Sequence, residues 1–258
     1  MADNLFEIKK LSFCYDKVKI IDDLSLKIDR GGITTIIGAN GCGKSTLFNL
    51  MTGNLKQQSG EIIFLGKNLS NIKLRDLAKK IAIVHQYNSI PFDITVEKLV
   101  SYGRIPYGSC CMPVKNKDDD EKIKWAMAVT GIYENKKELL SQLSGGQRQR
   151  AWISMSLAQG TDTLLLDEPT TFLDVKHQIE ILKLTETLNV KHGMSIIMVL
   201  HDMNQALRYS SEIIALKSGK VVAQGNPEKI INKDLLRELY NVELDVVDVK
   251  GKPFVLMV

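Results

Sequence analysis

A glycine-rich stretch from Gly38 to Thr46, GANGCGKST, is the strongest chemical signal in the sequence. It fits the pattern G-x-x-x-x-G-K-[ST], follows a β-branched run and precedes a helical pattern, which is the context of a phosphate-binding loop. Glycines let backbone N–H groups turn inward around phosphate oxygens, and the start of the helix adds a positive dipole end. We expect Lys44 to hold the β- and γ-phosphates and the Ser45 hydroxyl to bind Mg²⁺. The residues predicted to bind the nucleotide are Gly38, Ala39, Asn40, Gly41, Cys42, Gly43, Lys44, Ser45 and Thr46.

Cys42 lies inside this loop. Because N–H dipoles and a helix terminus are expected around it, the position predicts a lowered pKa and a reactive thiolate. The alternative interpretation is an inert small residue that fills the turn.

Two acidic residues follow the apolar run at 164–166. A buried strand of this kind delivers carboxylates to its C-terminal edge, where we expect Asp167 to hold Mg²⁺ directly or through water. Glu168 is then placed to orient or deprotonate the water that attacks the γ-phosphate. Taken alone the pattern is weak, since the polar end of an ordinary strand would look the same.

His201 follows another apolar run, residues 195–200. A single histidine after a strand usually has a structural role. In open α/β sheets, however, ligands bind outside the carboxyl ends of the strands, and the glycine-rich loop and the Asp167–Glu168 pair are predicted at that edge. This coincidence favours a contact between His201 and the γ-phosphate or the attacking water. The core is therefore predicted to hydrolyse a nucleoside triphosphate.

A second anion site is predicted where residues 143–147, LSGGQ, precede the amphipathic pattern at 148–159. A serine and two glycines at a helix N-terminus can bind phosphate through the hydroxyl and the first backbone N–H groups. A second phosphate-binding terminus would be surplus in a simple monomeric kinase.

Alternating strands and helices are predicted to position these residues. Core strands are expected at 33–37, 81–84, 164–166 and 195–200, and helices at 44–51 and 175–190. This alternation indicates an α/β fold with a mainly parallel sheet covered by helices on both faces. Alternating runs at 5–15, 20–28 and 60–64 indicate an antiparallel edge layer.

The stretch from Tyr87 to Arg150 breaks this alternation, because it contains helical patterns and no convincing strand. We expect helices at 96–102, 118–130 and 136–143, and a loop at 104–120. The stretch is interpreted as a helical subdomain, residues 87–150, inserted into a nucleotide-binding core formed by residues 1–86 and 151–258.

The overall composition disfavours several classes of protein. A net charge of +4, from 34 basic and 30 acidic residues in a mixed distribution, does not predict nucleic-acid binding. The apolar runs are far shorter than the ~20 residues of a membrane-spanning helix, and the acidic start is unlike a signal peptide. Cys14, Cys42, Cys110 and Cys111 lack the spacing of a metal site or a secreted disulfide framework. We therefore expect a reducing, cytoplasmic location.

With these motifs the chain resembles the ATP-binding cassette family over nearly its whole length, and residues 143–147 match the family signature. The resemblance implies that two copies pair head to tail, and that the signature of each copy caps the ATP held by the other. The signature residues implied to bind ATP are Ser144, Gly145, Gly146 and Gln147. Tyr15 corresponds to an aromatic residue that stacks on adenine, Gln86 to a glutamine that binds Mg²⁺ and water, and Asp174 to a residue that reaches across the dimer.

The predicted catalytic residues are Lys44, Gln86, Glu168 and His201, and the predicted Mg²⁺ ligands are Ser45, Gln86 and Asp167. Residues 95–106 resemble the segment that follows the glutamine in the ATPase subunits of iron–siderophore, haem and cobalamin importers. Residues 167–178 and 201–206 resemble the corresponding segments of the iron-chelate branch in particular. The resemblance implies integral membrane permease subunits, docked partly through residues 87–104, and an extracytoplasmic substrate-binding protein. It also implies a peripheral position on the inner face of the membrane. A haem or cobalamin importer, or a soluble cassette of the iron–sulfur assembly type, is the alternative.

Overall fold

The structure is a computed structural model that describes residues 4–88, 93–108, 117–249 and 251–256. The strands are β1 (Asn4–Tyr15), β2 (Val18–Asp29), β3 (Ile33–Ile37), β4 (Ser59–Phe64), β5 (Lys67–Asn68), β6 (Ile81–Val84), β7 (Thr163–Asp167), β8 (Ser195–Val199), β9 (Glu212–Lys217), β10 (Lys220–Gly225), β11 (Asp245–Val249) and β12 (Lys252–Leu256). The α-helices are α1 (Lys44–Met51), α2 (Leu74–Leu77), α3 (Val96–Ser101), α4 (Lys117–Val129), α5 (Gly145–Ala158), α6 (Val175–His192), α7 (Met203–Tyr209), α8 (Pro227–Ile230) and α9 (Lys233–Tyr240). Short 3₁₀ turns occur at Leu69–Asn71, Tyr102–Tyr107, Tyr133–Asn135 and Leu140–Gln142.

The chain divides into two compact units. The first unit contains residues 1–72 and 195–258, and the second contains residues 73–194. In the part of the chain that the structure describes, no helix is long and apolar enough to cross a bilayer.

An antiparallel sheet with the strand order β2-β1-β4-β5 forms one layer of the first unit. In β1, Leu11 and Phe13 are buried while Ser12 between them is partly exposed, as expected of a strand with one face on the core. The Phe6 ring packs against Phe64 of β4 with their centroids 4.9 Å apart. The predicted antiparallel edge layer is confirmed.

The other strands of the first unit carry the phosphate loop. β3 lies between β8 and β9 and is parallel to both, and β10 pairs antiparallel with β9. Every residue of β3 and β8 is buried, because a parallel strand covered on both faces has no solvent side. The strand predicted at 33–37 and the helix predicted at 44–51 are confirmed with those bounds.

The second unit contains the parallel strands β6 and β7, with residues 81–84 opposite 163–166. The helices α3, α4 and α5 pack together, and α5 also contacts β6. α6 ends at His192, two residues beyond the predicted end, and the left-handed backbone of Gly193 (φ 66°) forms its C-cap. The division into a core of residues 1–86 and 151–258 and an insert of residues 87–150 remains a prediction.

Two local predictions in the second unit are wrong. Residues 136–143 do not form a helix, because Leu139 is extended and its backbone pairs with Thr95 in an isolated β-bridge. This long-range pairing overrides the local helical pattern. The predicted loop at 104–120 is partly structured, since Tyr102–Tyr107 is a 3₁₀ turn and α4 begins at Lys117. Its central part, residues 109–116 with Cys110 and Cys111, lies outside the described residues.

Arg104 anchors the helices of the second unit although it is charged and fully buried. Its Nε donates to Asp119 of α4 at 2.6 Å, and its Nη1 donates to the Ala158 and Gln159 carbonyl oxygens at 2.8 and 3.0 Å. The last carbonyls of a helix have no intrahelical donor, so these bonds complete the C-terminal end of α5. The guanidinium thereby holds α4 against the helix that begins at the LSGGQ segment.

Candidate active site

The phosphate loop is a tight turn between β3 and α1. Gly38, Gly41 and Gly43 have φ values of 148°, 76° and 107°, which residues with a Cβ rarely adopt. Gly43 is the N-cap of α1, and its carbonyl oxygen accepts the N–H of Leu47 at 2.8 Å. The first backbone N–H groups of α1 are therefore directed at the loop, as anion binding requires.

Lys44 curls back over this loop. Its side chain is buried, and its ammonium donates to the carbonyl oxygens of Gly38 (2.8 Å) and Ala39 (3.1 Å). A bond from this ammonium to a phosphate would be charge-assisted and stronger than its bonds to the two neutral carbonyl oxygens. The geometry suits the predicted phosphate contact.

Cys42 differs from the prediction. Its side chain is 6% exposed, and burial raises the pKa of the thiol, although the Lys44 charge and backbone N–H groups oppose the rise. Desolvation disfavours the thiolate more strongly than these groups stabilise it. The predicted lowered pKa is therefore wrong, and the reactivity of the thiol stays a prediction.

Tyr240 is a neighbour of the phosphate loop that the sequence analysis missed. It ends α9, and its hydroxyl lies near the backbone of Gly38 and the side chain of Cys42. Burial raises the pKa of Tyr240 to about 12, and negative charge at Cys42 adds to the rise. No local pattern marks this tyrosine, because the packing of α9 on β9 brings it to the loop.

The two acidic residues after β7 have distinct environments. Asp167 is buried at the end of the strand, whereas Glu168 is partly exposed and has a left-handed backbone with φ 49°. The Glu168 carboxylate accepts hydrogen bonds from the Gln86 amide and from the Thr171 hydroxyl, the latter at 3.1 Å. Strained backbone of this kind is typical of functional sites. The second unit thus brings together Gln86, Asp167 and Glu168 at the ends of β6 and β7.

His201 and Tyr15 lie in the first unit. His201 is exposed and lies two positions after the last residue of β8. Its neighbour Asp202 caps α7 by accepting the Gln205 N–H at 2.9 Å. Tyr15, at the end of β1, is 48% exposed, and its ring contacts Phe13 edge-on at 5.0 Å. The half-exposed ring has a face that a base could stack on. The roles of both residues remain predictions.

The LSGGQ segment forms the N-terminus of α5. Ser144 is the N-cap, and its hydroxyl oxygen accepts the Gln147 N–H at 3.3 Å while the Gln147 side chain accepts the Ser144 N–H at 2.9 Å. In this capping box the serine oxygen serves as an acceptor, so its hydroxyl proton remains able to donate to a phosphate. The predicted anion site therefore lies at a well-formed helix start.

Asp174 caps α6 in the same way. Its carboxylate accepts the His177 backbone N–H at 2.9 Å and also bonds the His177 ring. The backbone N–H and then the ring of His177 hold the pKa of Asp174 below its ordinary value, so the carboxylate is charged at neutral pH. Asp174 is exposed, as a residue that reaches another chain must be.

The residues predicted to bind Mg²⁺ offer suitable donors. Ser45, Gln86 and Asp167 supply a hydroxyl, an amide oxygen and a carboxylate, and Mg²⁺ prefers such hard oxygen ligands. The Gln86 nitrogen is bonded to Glu168, which leaves its carbonyl oxygen for the ion. Among the described residues, no group of three or more His, Cys, Asp or Glu could hold a metal.

Comparison with known proteins gives consistent matches. Residues 21–171 match the family described as ABC transporter. The iron(3+)-hydroxamate import ATP-binding protein of Bacillus subtilis is 43% identical over 244 residues, which cover 95% of this chain and 90% of that protein. The ferric enterobactin transport ATP-binding protein of Escherichia coli is 41% identical over 250 residues, covering 96% and 92%.

The fold also matches solved structures. The dimeric structure of MJ0796, a bacterial ABC transporter cassette, aligns with a TM-score of 0.75 at 28% identity. The alignment covers 86% of this chain and 98% of that one. The α/β fold with a phosphate loop, a parallel sheet and an antiparallel layer is therefore shared with nucleotide-binding cassettes.

Proposed function

The chain belongs to the ABC transporter family, whose ATP-binding subunits hydrolyse ATP to power transport, and we propose that it drives uptake of an iron chelate through a separate permease. The observation that carries the proposal is likeness over nearly the full length to two ATP-binding proteins named for iron-chelate transport. The intact set of predicted catalytic residues supports it, because a chain that only sensed ATP would not need Glu168.

In the proposed reaction, the phosphate loop and Lys44 bind the phosphates of ATP, and Tyr15 stacks on the adenine. Ser45, Gln86 and Asp167 would hold Mg²⁺, which when bound neutralises charge on the β- and γ-phosphates. His201 contacts the γ-phosphate or the attacking water. Catalysis of phosphoryl transfer is mostly positioning and charge stabilisation, so these contacts must be made together.

Glu168 is the proposed general base. The bonds from Gln86 and Thr171 restrict the carboxylate to one orientation, and the left-handed backbone turns it away from the direction of β7. A positioned base of this kind takes the proton of the attacking water as the water oxygen bonds to the γ-phosphorus, while the bond from that phosphorus to the β–γ bridging oxygen breaks and ADP leaves. Gln86 thereby connects the base to the segment that begins at Tyr87.

The second half of each site is proposed to come from another copy of the chain. Ser144, Gly145, Gly146 and Gln147 would cap the ATP held by the phosphate loop of the partner copy, and Asp174 would reach across the dimer. The helix start at Ser144 and the dimeric cassette structure that this fold matches support this arrangement. The chain is also proposed to dock two permease subunits, partly through its residues 87–104, and to act together with an extracytoplasmic binding protein. This places it peripherally on the inner face of the membrane.

The proposal is tested by purifying the chain from membranes of its own cells in mild detergent. We expect two copies with two polytopic membrane subunits, and ATP hydrolysis that Lys44→Ala removes by eliminating the charged phosphate contact. Lys183→Ala, an exposed lysine of α6, is the matched control and should hydrolyse ATP like the parent. An active chain found without any membrane partner would support a soluble assembly ATPase instead.

A further inference from the structure

His177 contacts the LSGGQ segment although the reaction described above gives it no role. Its imidazole lies against the backbone of Gly146, where a Cβ built on the glycine would be 2.1 Å from Cδ2 and 2.5 Å from Cγ of the ring. Real Cβ atoms never come so close, so only glycine at position 146 leaves room for the ring. Gly146 is buried, while Ser144 and Gly145 before it are exposed.

The same ring is held from its other side by Asp174. His177 Nδ1 lies 2.8 and 2.9 Å from the two carboxylate oxygens of Asp174, and the backbone N–H of His177 bonds the same carboxylate at 2.9 Å. The Nδ1–H is shared between the two carboxylate oxygens, and the backbone bond fixes the same carboxylate beside the ring, so the ring has little rotational freedom. Hydrogen bonds to charged groups are also stronger than those between neutral groups.

A second contact follows the same route. Cδ2 of Leu173 lies beside Gly145, since a Cβ built on this glycine would be 3.7 Å from it, an ordinary packing distance. Leu173 is itself held by Gln178, whose side-chain amide donates to the Leu173 carbonyl oxygen at 2.9 Å. Leu173 and Asp174 immediately precede α6, and Gly145 and Gly146 begin α5. The two helix starts are therefore in contact within the second unit through the side chains of Leu173 and His177.

We propose that His177 is a positioning residue that sets the backbone of Gly146 relative to Asp174 within one protomer. This inference rests on the proposed function, in which both groups face the nucleotide or the loops of the partner copy. With the ring in place, the LSGGQ segment and Asp174 approach the partner as one preformed surface. Without it, each must be ordered at the moment of pairing, which weakens association.

The test uses the full chain carrying Glu168→Gln, so that bound ATP is not consumed. His177→Asn keeps a donor near the position of Nδ1, His177→Gln moves the donor further out, and His177→Ala removes it. Lys176→Ala, the exposed neighbour, is the matched control. The readouts are the ATP affinity of the monomer, from a fluorescent ATP analogue, and ATP-dependent dimerisation, from analytical ultracentrifugation.

We expect His177→Ala and His177→Gln to weaken ATP-dependent dimerisation about tenfold, because each variant loses one charge-assisted hydrogen bond. The ATP affinity of the monomer should be unchanged. His177→Asn should restore most of the loss, and Lys176→Ala should equal the parent. If His177→Ala does not fold, the inference is tested by comparing the dimerisation of His177→Asn with that of His177→Gln. Dimerisation equal to the parent in every His177 variant, or an equal loss in His177→Asn and His177→Gln, would overturn the inference. Failure of the parent to bind ATP would instead count against the proposed function.

Discussion

Glu168 is the residue on which the proposed reaction depends most directly. Glu168→Gln keeps the size and the polar contacts of the side chain but removes the base. We expect ATP binding to persist and turnover to fall by ~10²–10⁴-fold, which is the usual contribution of a general base. Steady-state phosphate release measures the effect, and Glu186→Gln on the exposed face of α6 is the control. Near-normal hydrolysis by Glu168→Gln would remove this glutamate from its proposed role.

The thiol of Cys42 gives a prediction with a defined sign. Because burial raises its pKa, the thiolate fraction is small at neutral pH, and alkylation should be slow at pH 7 and accelerate as the pH rises. Lys44→Ala removes a charge that lowers this pKa, so it should slow the reaction further. Mass spectrometry of the labelled peptide measures the rate, with the less buried Cys14 as internal reference. Rapid, pH-independent labelling of Cys42 at pH 7 would contradict the expected sign.

The residues of the phosphate loop and the acidic pair could be predicted from sequence because their spacing is local. Gly38 to Thr46 lie on one turn, and Asp167 and Glu168 are adjacent in the chain. Tyr240 and the bond from Gln86 to Glu168 could not be predicted by pattern, since each joins segments far apart in sequence. The pKa of Cys42 was mispredicted for a related reason, because burial by surrounding residues outweighs the local dipoles.

Among the structural elements, the turn between β3 and α1 is the most constrained by sterics. A Cβ at Gly38 would lie 2.3 Å from the Leu216 backbone oxygen of β9, which cannot move without disrupting the sheet. We expect Gly38→Ala to abolish nucleotide binding and lower the melting temperature. Gly31→Ala is the control, because Gly31 also has a positive φ of 88° but nothing lies within 4 Å of its Cβ position. Its cost should be only the ~1–2 kcal/mol of left-handed backbone. Equal stability losses in the two variants would argue against the steric explanation.

The buried Arg104–Asp119 pair gives a prediction on the helices of the second unit. Asp119→Ala leaves a buried guanidinium without its carboxylate, and breaking such a pair costs ~3–5 kcal/mol. Asp118→Ala removes an exposed carboxylate 3.7 Å from the same arginine and should cost less than ~1 kcal/mol. Denaturant unfolding compares the two variants. Similar unfolding free energies would show that Arg104 does not anchor α4.

Strands and helices with strong periodicity could be predicted from sequence, as β3 and α1 show. The segment at 136–143 could not, because its conformation depends on the pairing of Leu139 with Thr95. The helix α9 and the hairpin of β11 and β12 could not be predicted either, because such short elements carry little periodic signal.

For the whole molecule, the proposed reaction requires two copies of the chain to complete each ATP site. ATP-dependent dimerisation of the Glu168→Gln chain is therefore expected, and removal of Mg²⁺ with a chelator should abolish hydrolysis in the parent. Sedimentation with and without ATP and chelator measures the dimer, and phosphate release measures turnover. A chain that hydrolyses ATP as a monomer would contradict the two-copy site.

Import of an iron chelate powered by this chain is tested by an uptake measurement in cells. Cells in which Glu168→Gln replaces the parent chain are given labelled iron–siderophore, haem or cobalamin, and accumulation of each is followed. We expect loss of iron–siderophore uptake, with haem and cobalamin uptake unchanged. Intact iron uptake together with loss of haem or cobalamin import would contradict the proposed cargo and assign this ATPase to the other one.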